Sequence, residues 1–149
     1  MKKHFLMLPL LLLGCREQQL TQTEMRAILH ERNEKLGEFF KSGDVAKIIT
    51  MYSDSAKLCP NHAGEFFVGR EAIRRFWEEA SVGSTLLKME TETMTVDGDA
   101  QVIYETGITT THTQYKDSVY VATVKFANVW KRQADGEYLL DVDIWNALE

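Results

Sequence analysis

The dominant spacing of the apolar residues changes from helical to alternating about halfway along this chain, and that change constrains the fold more than any single motif. Met25, Ile28, Leu29, Leu36, Phe39 and Phe40 recur at the interval of one helix face, which predicts a long amphipathic helix to about Lys41. Thr21-Gln22-Thr23-Glu24 ahead of it reads as a capping box, and Ser42-Gly43 ends it. Asp44 caps a short second helix carrying Val45, Ile48, Ile49 and Met51. A short strand at 56–59 stops at Pro60, residues 61–64 form a turn, and 65–68 are extended again. Gly69-Arg70-Glu71 opens a third helix, with Ile73, Phe76 and Trp77 on one face, to about Ala80. Beyond Gly83 the period becomes that of strands: 86–96, 100–113, 119–132 and 138–146, separated by turns such as Asp97-Gly98-Asp99 and Ala134-Asp135-Gly136. Helices first and an antiparallel meander afterwards predict one α+β domain over 22–149, its helices covering one face of a curved sheet.

The segment before this pattern reads differently. Lys2 and Lys3 precede an apolar run at 5–13, and Gly14-Cys15 closes it. A run this short does not span a bilayer core, which needs about 20 helical residues. Basic flank, apolar core and a small residue at the cut have the proportions of a secretory signal. With a cysteine at the cut, the segment resembles a bacterial lipoprotein signal over 1–14. That resemblance implies a lipid on Cys15, a polar tether over 15–21 and attachment to the cell envelope. Arg16 in place of an aspartate implies the outer membrane if the source is Gram-negative. The competing reading is an ordinary buried helix with a chance cysteine; Pro9 and the basic flank favour the signal.

Charge and cysteine count then bound the partners. The formal charge of −5 becomes more negative by two once Lys2 and Lys3 leave with the signal. An acidic chain with no Lys/Arg cluster argues against nucleic-acid binding, and its surface repels anionic headgroups, so attachment falls to the lipid. With Cys15 acylated, Cys59 has no intrachain partner and is expected to be a small, inert apolar side chain.

Gly43-Asp44, Met51-Tyr52-Ser53-Asp54-Ser55-Ala56 and Gly69-Arg70-Glu71-Ala72-Ile73 with Phe76-Trp77 resemble the first half of the ketosteroid-isomerase and SnoaL-like superfamily. The ending, with Val129-Trp130-Lys131-Arg132-Gln133, Asp135-Gly136-Glu137-Tyr138 and Asp143-Ile144-Trp145-Asn146, is similar to the SnoaL-like branch related to the calmodulin-dependent kinase association domain. The resemblance implies a cone-shaped, cystatin-like roll with a pocket between helices and concave sheet. It also implies dimerisation through the sheet, for which the aromatic-rich strand 119–130 offers a face. Because this fold hosts isomerases, cyclases, dehydratases and non-catalytic binders, it does not decide function.

Ketosteroid isomerases use an aspartate base and an oxyanion hole of a tyrosine and a neutral aspartic acid. By register the tyrosine position falls on Leu36, the base on Pro60, and the second oxyanion position on Asn128. Only Asn128 retains a polar group, so that mechanism is not expected. Strand alternation groups Asp141, Asp143 and Trp145 on one face, and Tyr138, Leu140, Val142 and Ile144 on the other. Trp145 falls on a pocket tryptophan of the family, which places both aspartates toward the pocket. Asn128 shares its strand face with Val124, Phe126 and Trp130. The candidate constellation is therefore Asp143 as acid or base and Asn128 as polariser. Trp145, Trp77, Asp141, Phe126, Trp130 and the turn residue His62 complete it as ligand contacts. The bland alternative has Asp143 bonded to a backbone amide or an arginine. His30 and His112 read as polar surface positions. No HxH or Hx3H pair suggests a metal, and no cofactor is expected. Glu105 and Gly107 read as a strand bulge. Two functions stay open. A lipid-anchored binding or assembly domain fits a shallow or filled cone with an apolar outer sheet. A small isomerase, cyclase or dehydratase acting on a hydrophobic molecule needs a deep pocket with a desolvated carboxylate.

Overall fold

The computed structural model describes residues 19–61 and 63–148, so the expected signal at 1–14, the lipid site Cys15, most of the tether and His62 lie outside it. The chain runs α1(Gln22–Ser42), α2(Val45–Ile49), β1(Tyr52–Cys59), β2(Phe67–Val68), α3(Arg70–Ala80), β3(Ser84–Gly98), β4(Val102–Tyr115), β5(Ser118–Arg132) and β6(Tyr138–Ala147). Six strands form one curved sheet in the order β2-β1-β6-β5-β4-β3, antiparallel except where β1 lies parallel to β6. The helices cover its concave face, which makes the expected α+β cone. No helix among the described residues is long and apolar enough to cross a membrane.

Local chemistry explains the helix limits. The Thr21 hydroxyl accepts from the Glu24 amide at 3.2 Å, and the Glu24 carboxylate accepts from the Thr21 amide at 2.7 Å, satisfying two orphan donors of α1. Gly43 ends α1 at φ 67°, a left-handed conformation that glycine adopts without a Cβ clash. Asp44 caps α2 by accepting from the Lys47 amide. Along α1, Met25, Leu29, Arg32, Leu36 and Gly37 are the buried residues. Arg32 is loaded by burial, which lowers its pKa, and it pairs with Glu137 at the turn before β6.

The core fills one end of the cone, where Met25 and Leu29 pack with Val96, Ile103, Trp130 and Leu140. Trp130 pairs laterally with Ile103 and with Leu140, so this end is a continuous apolar layer across three strands.

Three local expectations are corrected. First, β1 begins at Tyr52 rather than near residue 56, because its first residues pair with β6, some 90 positions later in sequence. Second, the strand expected to bulge at Glu105 and Gly107 is regular against β5. The irregularity lies in β3 between Thr93 and Thr95, opposite Thr106 and Gly107. Gly107 is small for another reason. A Cβ there would stand 2.3 Å from the Glu92 carbonyl oxygen and 2.6 Å from the Phe126 ring. Third, the register of β5 with β6 shifts between Val129–Val142 and Trp130–Leu140, leaving Asp141 as an extra residue. Alternation is broken there: Leu140 and Tyr138 are buried with the concave-face residues, not opposite to Asp143 as strict alternation implied.

The close approach at Gly107 yields a direct prediction. Gly107→Ala is expected to destabilise the domain by about 1–3 kcal/mol, the usual range for overpacking. Urea denaturation would read it as a lower midpoint at unchanged slope; an unshifted midpoint would refute the steric account.

Candidate functional site

Toward the other end of the cone the helices stand off the sheet, enclosing a cavity of about 510 Å³. Leu36 and Phe40 of α1, Ile48 of α2 and Trp77 of α3 line its helical side. On the sheet side, Phe126 and Asn128 of β5 lie beside Asp143 and Trp145 of β6.

Asp143 sets the chemistry of the floor. It is 8% exposed, and its Oδ2 accepts a 2.6 Å hydrogen bond from the hydroxyl of Tyr52, which is fully buried. With its amide turned so that nitrogen faces the carboxylate, Asn128 donates to Asp143 Oδ1 at 3.3 Å. Burial pushes the Asp143 carboxyl up from its ordinary 3.8 to about 6. The Tyr52 hydrogen bond holds the rise back, and the negative charge of Glu105 adds to it. Tyr52 titrates well above its ordinary value, because burial and then the charge of Asp143 disfavour a phenolate. It therefore stays a donor throughout the physiological range. The buried Trp77 indole N–H has no partner at good hydrogen-bonding geometry among the described residues. Its proximity to Tyr52 still offsets a little of that rise.

A second buried carboxylate lies in the same lateral row. Glu105 pairs with Asn128 across β4 and β5, and Asn128 pairs with Asp143 across β5 and β6. Glu105 is 1% exposed and fully served by neutral donors: Asn33 at 2.7 Å, Thr93 at 2.6 Å and the Trp130 indole at 2.8 Å. Among the described residues neither Glu105 nor Asp143 forms an ion pair.

Above this polar floor the walls differ. Trp77 and Trp145 stack with ring centroids 5.8 Å apart, and Phe40 meets Trp77 edge-on at 4.6 Å. On the sheet, Thr91 and Thr109 bring their hydroxyls within 3.1 Å of each other, and Thr111 continues that row toward the mouth. Lys41 and Ser42 stand at the exposed rim.

The structure thus brings together Asp143, Asn128, Trp145, Trp77 and Phe126 on one cavity. Two candidates are elsewhere. Trp130 lies one strand step past Asn128, wholly buried in the filled end and spent on Glu105. Asp141, displaced by the bulge, accepts from Ser53 at 2.6 Å and Ser55 at 3.3 Å instead of facing the cavity. His62 and Cys15 are outside the described residues. His30 is exposed, His112 is half-buried near its strand end, and Cys59 is a free, partly buried thiol whose pKa burial raises. No cluster of three potential metal ligands occurs among the described residues. Sequence reasoning missed Tyr52 and Glu105. Glu105 alternates with Ile103 and Gly107 on one strand face, which was the available signal for a buried carboxylate. Tyr52 offered none, since its partner is 91 positions away.

Comparison with known proteins agrees with this fold. The family model of the SnoaL-like domain matches residues 34–138. No curated protein matches the chain. Among solved structures, a ketosteroid isomerase-like protein from Erwinia carotovora atroseptica superposes with a TM-score of 0.72 at 14% identity, covering 83% of this chain and 95% of that one. A Catenulispora acidiphila protein, solved in complex with S-DNPA, gives 0.75 at 16% identity over 85% and 95% of the two chains. A Xanthomonas campestris structure described as a calcium/calmodulin dependent protein kinase II association domain gives 0.62 at 18% identity, over 84% and 86%.

The raised Asp143 pKa makes stability depend on pH in a stated direction. The folded state holds this proton up to about pH 6, whereas an unfolded aspartate releases it near 3.8. The folded state therefore binds more protons between those values, and stability from this group falls as pH rises through that window. A pKa difference of one is worth about 1.4 kcal/mol, so ionised Asp143 lowers stability by a few kcal/mol at pH 8. Asp143→Asn is expected to remove this pH dependence, so that the variant gains on the parent between pH 4 and pH 8. Denaturation midpoints at both pH values test it, and a parallel fall in both proteins would refute it.

Proposed function

Because this chain belongs to the SnoaL-like domain family, we propose that its cone binds a largely apolar small molecule whose polar end meets Asp143. The observation that carries the reading is the open cavity of about 510 Å³ with one buried carboxylate at its floor. Its volume falls in the range of small-molecule sites, roughly 300–1,000 Å³, and such sites combine apolar walls with a few orienting polar groups. A filled cone would have favoured pure assembly. A structural neighbour solved in complex with S-DNPA is in keeping with small-molecule binding on this fold.

The proposal extends to the setting. A lipid on Cys15 would hold the domain at a bacterial cell envelope, at the outer membrane if the source is Gram-negative, with 15–21 as tether. Pairing of two copies through the outer sheet face is part of the same reading. Tyr104, Val119 and Val121 are exposed there.

One observation favours a second, catalytic reading. A carboxyl with a pKa near 6, oriented by Tyr52 and Asn128, is poised for proton transfer at neutral pH, as an isomerase, cyclase or dehydratase requires. Such chemistry would differ from that of ketosteroid isomerase. Leu36 lines the cavity without a donor, and Pro60 supplies no base.

Binding is testable with the neutral fluorophore N-phenyl-1-naphthylamine. Its emission is expected to rise with saturable affinity and to quench Trp77 and Trp145, while Val124→Trp, which fills the cavity from the sheet, abolishes the effect. Signal that persists in Val124→Trp would place the fluorophore elsewhere and sink the reading. Separately, Cys15→Ala is expected to move the protein from the membrane fraction to the soluble fraction of cells; retention in the membrane would overturn the lipid anchor.

A further inference from the structure

The floor of the cavity carries negative charge with no positive counterpart among the described residues. Asp143 lines the cavity, and Glu105 lies behind the lining in the same cross-strand row, on the far side of Asn128; their hydrogen-bond partners are all neutral. Neutral donors satisfy the geometry of a buried carboxylate but leave its field uncompensated, and that field is weakly screened in an apolar surround. The described cation on the cavity wall is Lys41, at the last turn of α1, where it is exposed and screened by solvent. The walls above the floor are aromatic, from Phe40, Trp77, Phe126 and Trp145. Aromatic faces attract cations and also pack against apolar skeletons.

From this juxtaposition we propose that the cone selects an apolar amine, with its ammonium group against Asp143 and its carbon skeleton along the Trp77–Trp145 wall. The proposal rests on the small-molecule reading above and assigns the ligand class. Each Asp143 oxygen accepts one hydrogen bond, from Tyr52 on Oδ2 and from Asn128 on Oδ1, which leaves acceptor capacity on both for an incoming N–H. An ammonium there supplies the charge that the protein withholds, and the bond it makes is charge-assisted. A ligand carboxylate would meet the like charge of Asp143, with that of Glu105 behind it. A neutral hydroxyl would gain only an ordinary hydrogen bond.

Three ligands that share one skeleton test this: 4-phenylbutylamine, 4-phenylbutanol and 4-phenylbutyrate, titrated calorimetrically into the full-length chain at pH 7.5. The amine is expected to bind about tenfold tighter than the alcohol or better, equivalent to about 1.4 kcal/mol, with the carboxylate weakest. In Asp143→Asn the amine-to-alcohol ratio should fall to near one. The parent protein provides a second measurement that does not depend on the variant folding. At pH 5 Asp143 is largely protonated while the amine stays charged, so the ratio should fall severalfold. Tyr52 and Cys59 of β1 and Glu105 of β4 are the titratable groups facing Asp143, and both β1 groups titrate above their ordinary values. An alcohol or carboxylate that equals the amine at pH 7.5 would overturn the proposal, as would a preference unchanged in Asp143→Asn and at pH 5. If none of the three binds but N-phenyl-1-naphthylamine does, the charge selection falls and the pocket stands; if the fluorophore fails too, the pocket reading itself falls.

Discussion

The structure turns on a band of hydrogen bonds buried halfway along the cone. Tyr52 and Asn128 bracket Asp143, and Asn33, Thr93 and Trp130 surround Glu105. A carboxylate taken out of water is tolerated only where donors replace its hydration, and each donor must then be held in position by its own element. This requirement ties α1, β1, β3, β4, β5 and β6 to one another at a single level of the cone. On one side of the band apolar side chains close up into a packed core. On the other they stop short, and the cavity begins.

Irregularities in the strands decide which residues reach that band. The extra residue at Asp141 resets the phase of β6, so that Leu140 enters the core and Asp143 reaches the floor within three positions. Without the bulge, Asp143 and Leu140 would point to opposite faces, and either the core or the site would lose its residue. A register shift in β3 also falls beside Gly107, where the missing Cβ leaves room for the Phe126 ring. These departures are small in sequence terms and large in consequence, because strand periodicity is two and one residue inverts a face.

The solved neighbours share the architecture at 14–18% identity, a level at which backbone geometry persists and individual site residues need not. In this chain Tyr52 and Asn128 gather around Asp143, while Leu36 lines the cavity without a hydrogen-bonding side chain. The cone is a common frame, and the frame alone does not decide the chemistry of its floor.

Much of the fold was legible in order and spacing. The helical period of residues 25–40, the Thr21–Glu24 capping box, Gly43 as a stop and the alternating last third all depend on neighbours within a turn or a strand. Such local preferences act before any tertiary contact forms. Asp143, Asn128, Trp145 and Phe126 were also legible as a group from strand alternation and the resemblance, with Trp77 of α3 as an apolar wall. The sequence by itself therefore determined the element order, the fold class and one face of the site. Only the tertiary structure decided that Tyr52 meets Asp143, that Asp141 and Trp130 leave the cavity, and that Glu105 adds a second buried charge. Those outcomes depend on a parallel pairing across some 90 residues and on bulges that shift phase by one position, and neither leaves a local pattern to read.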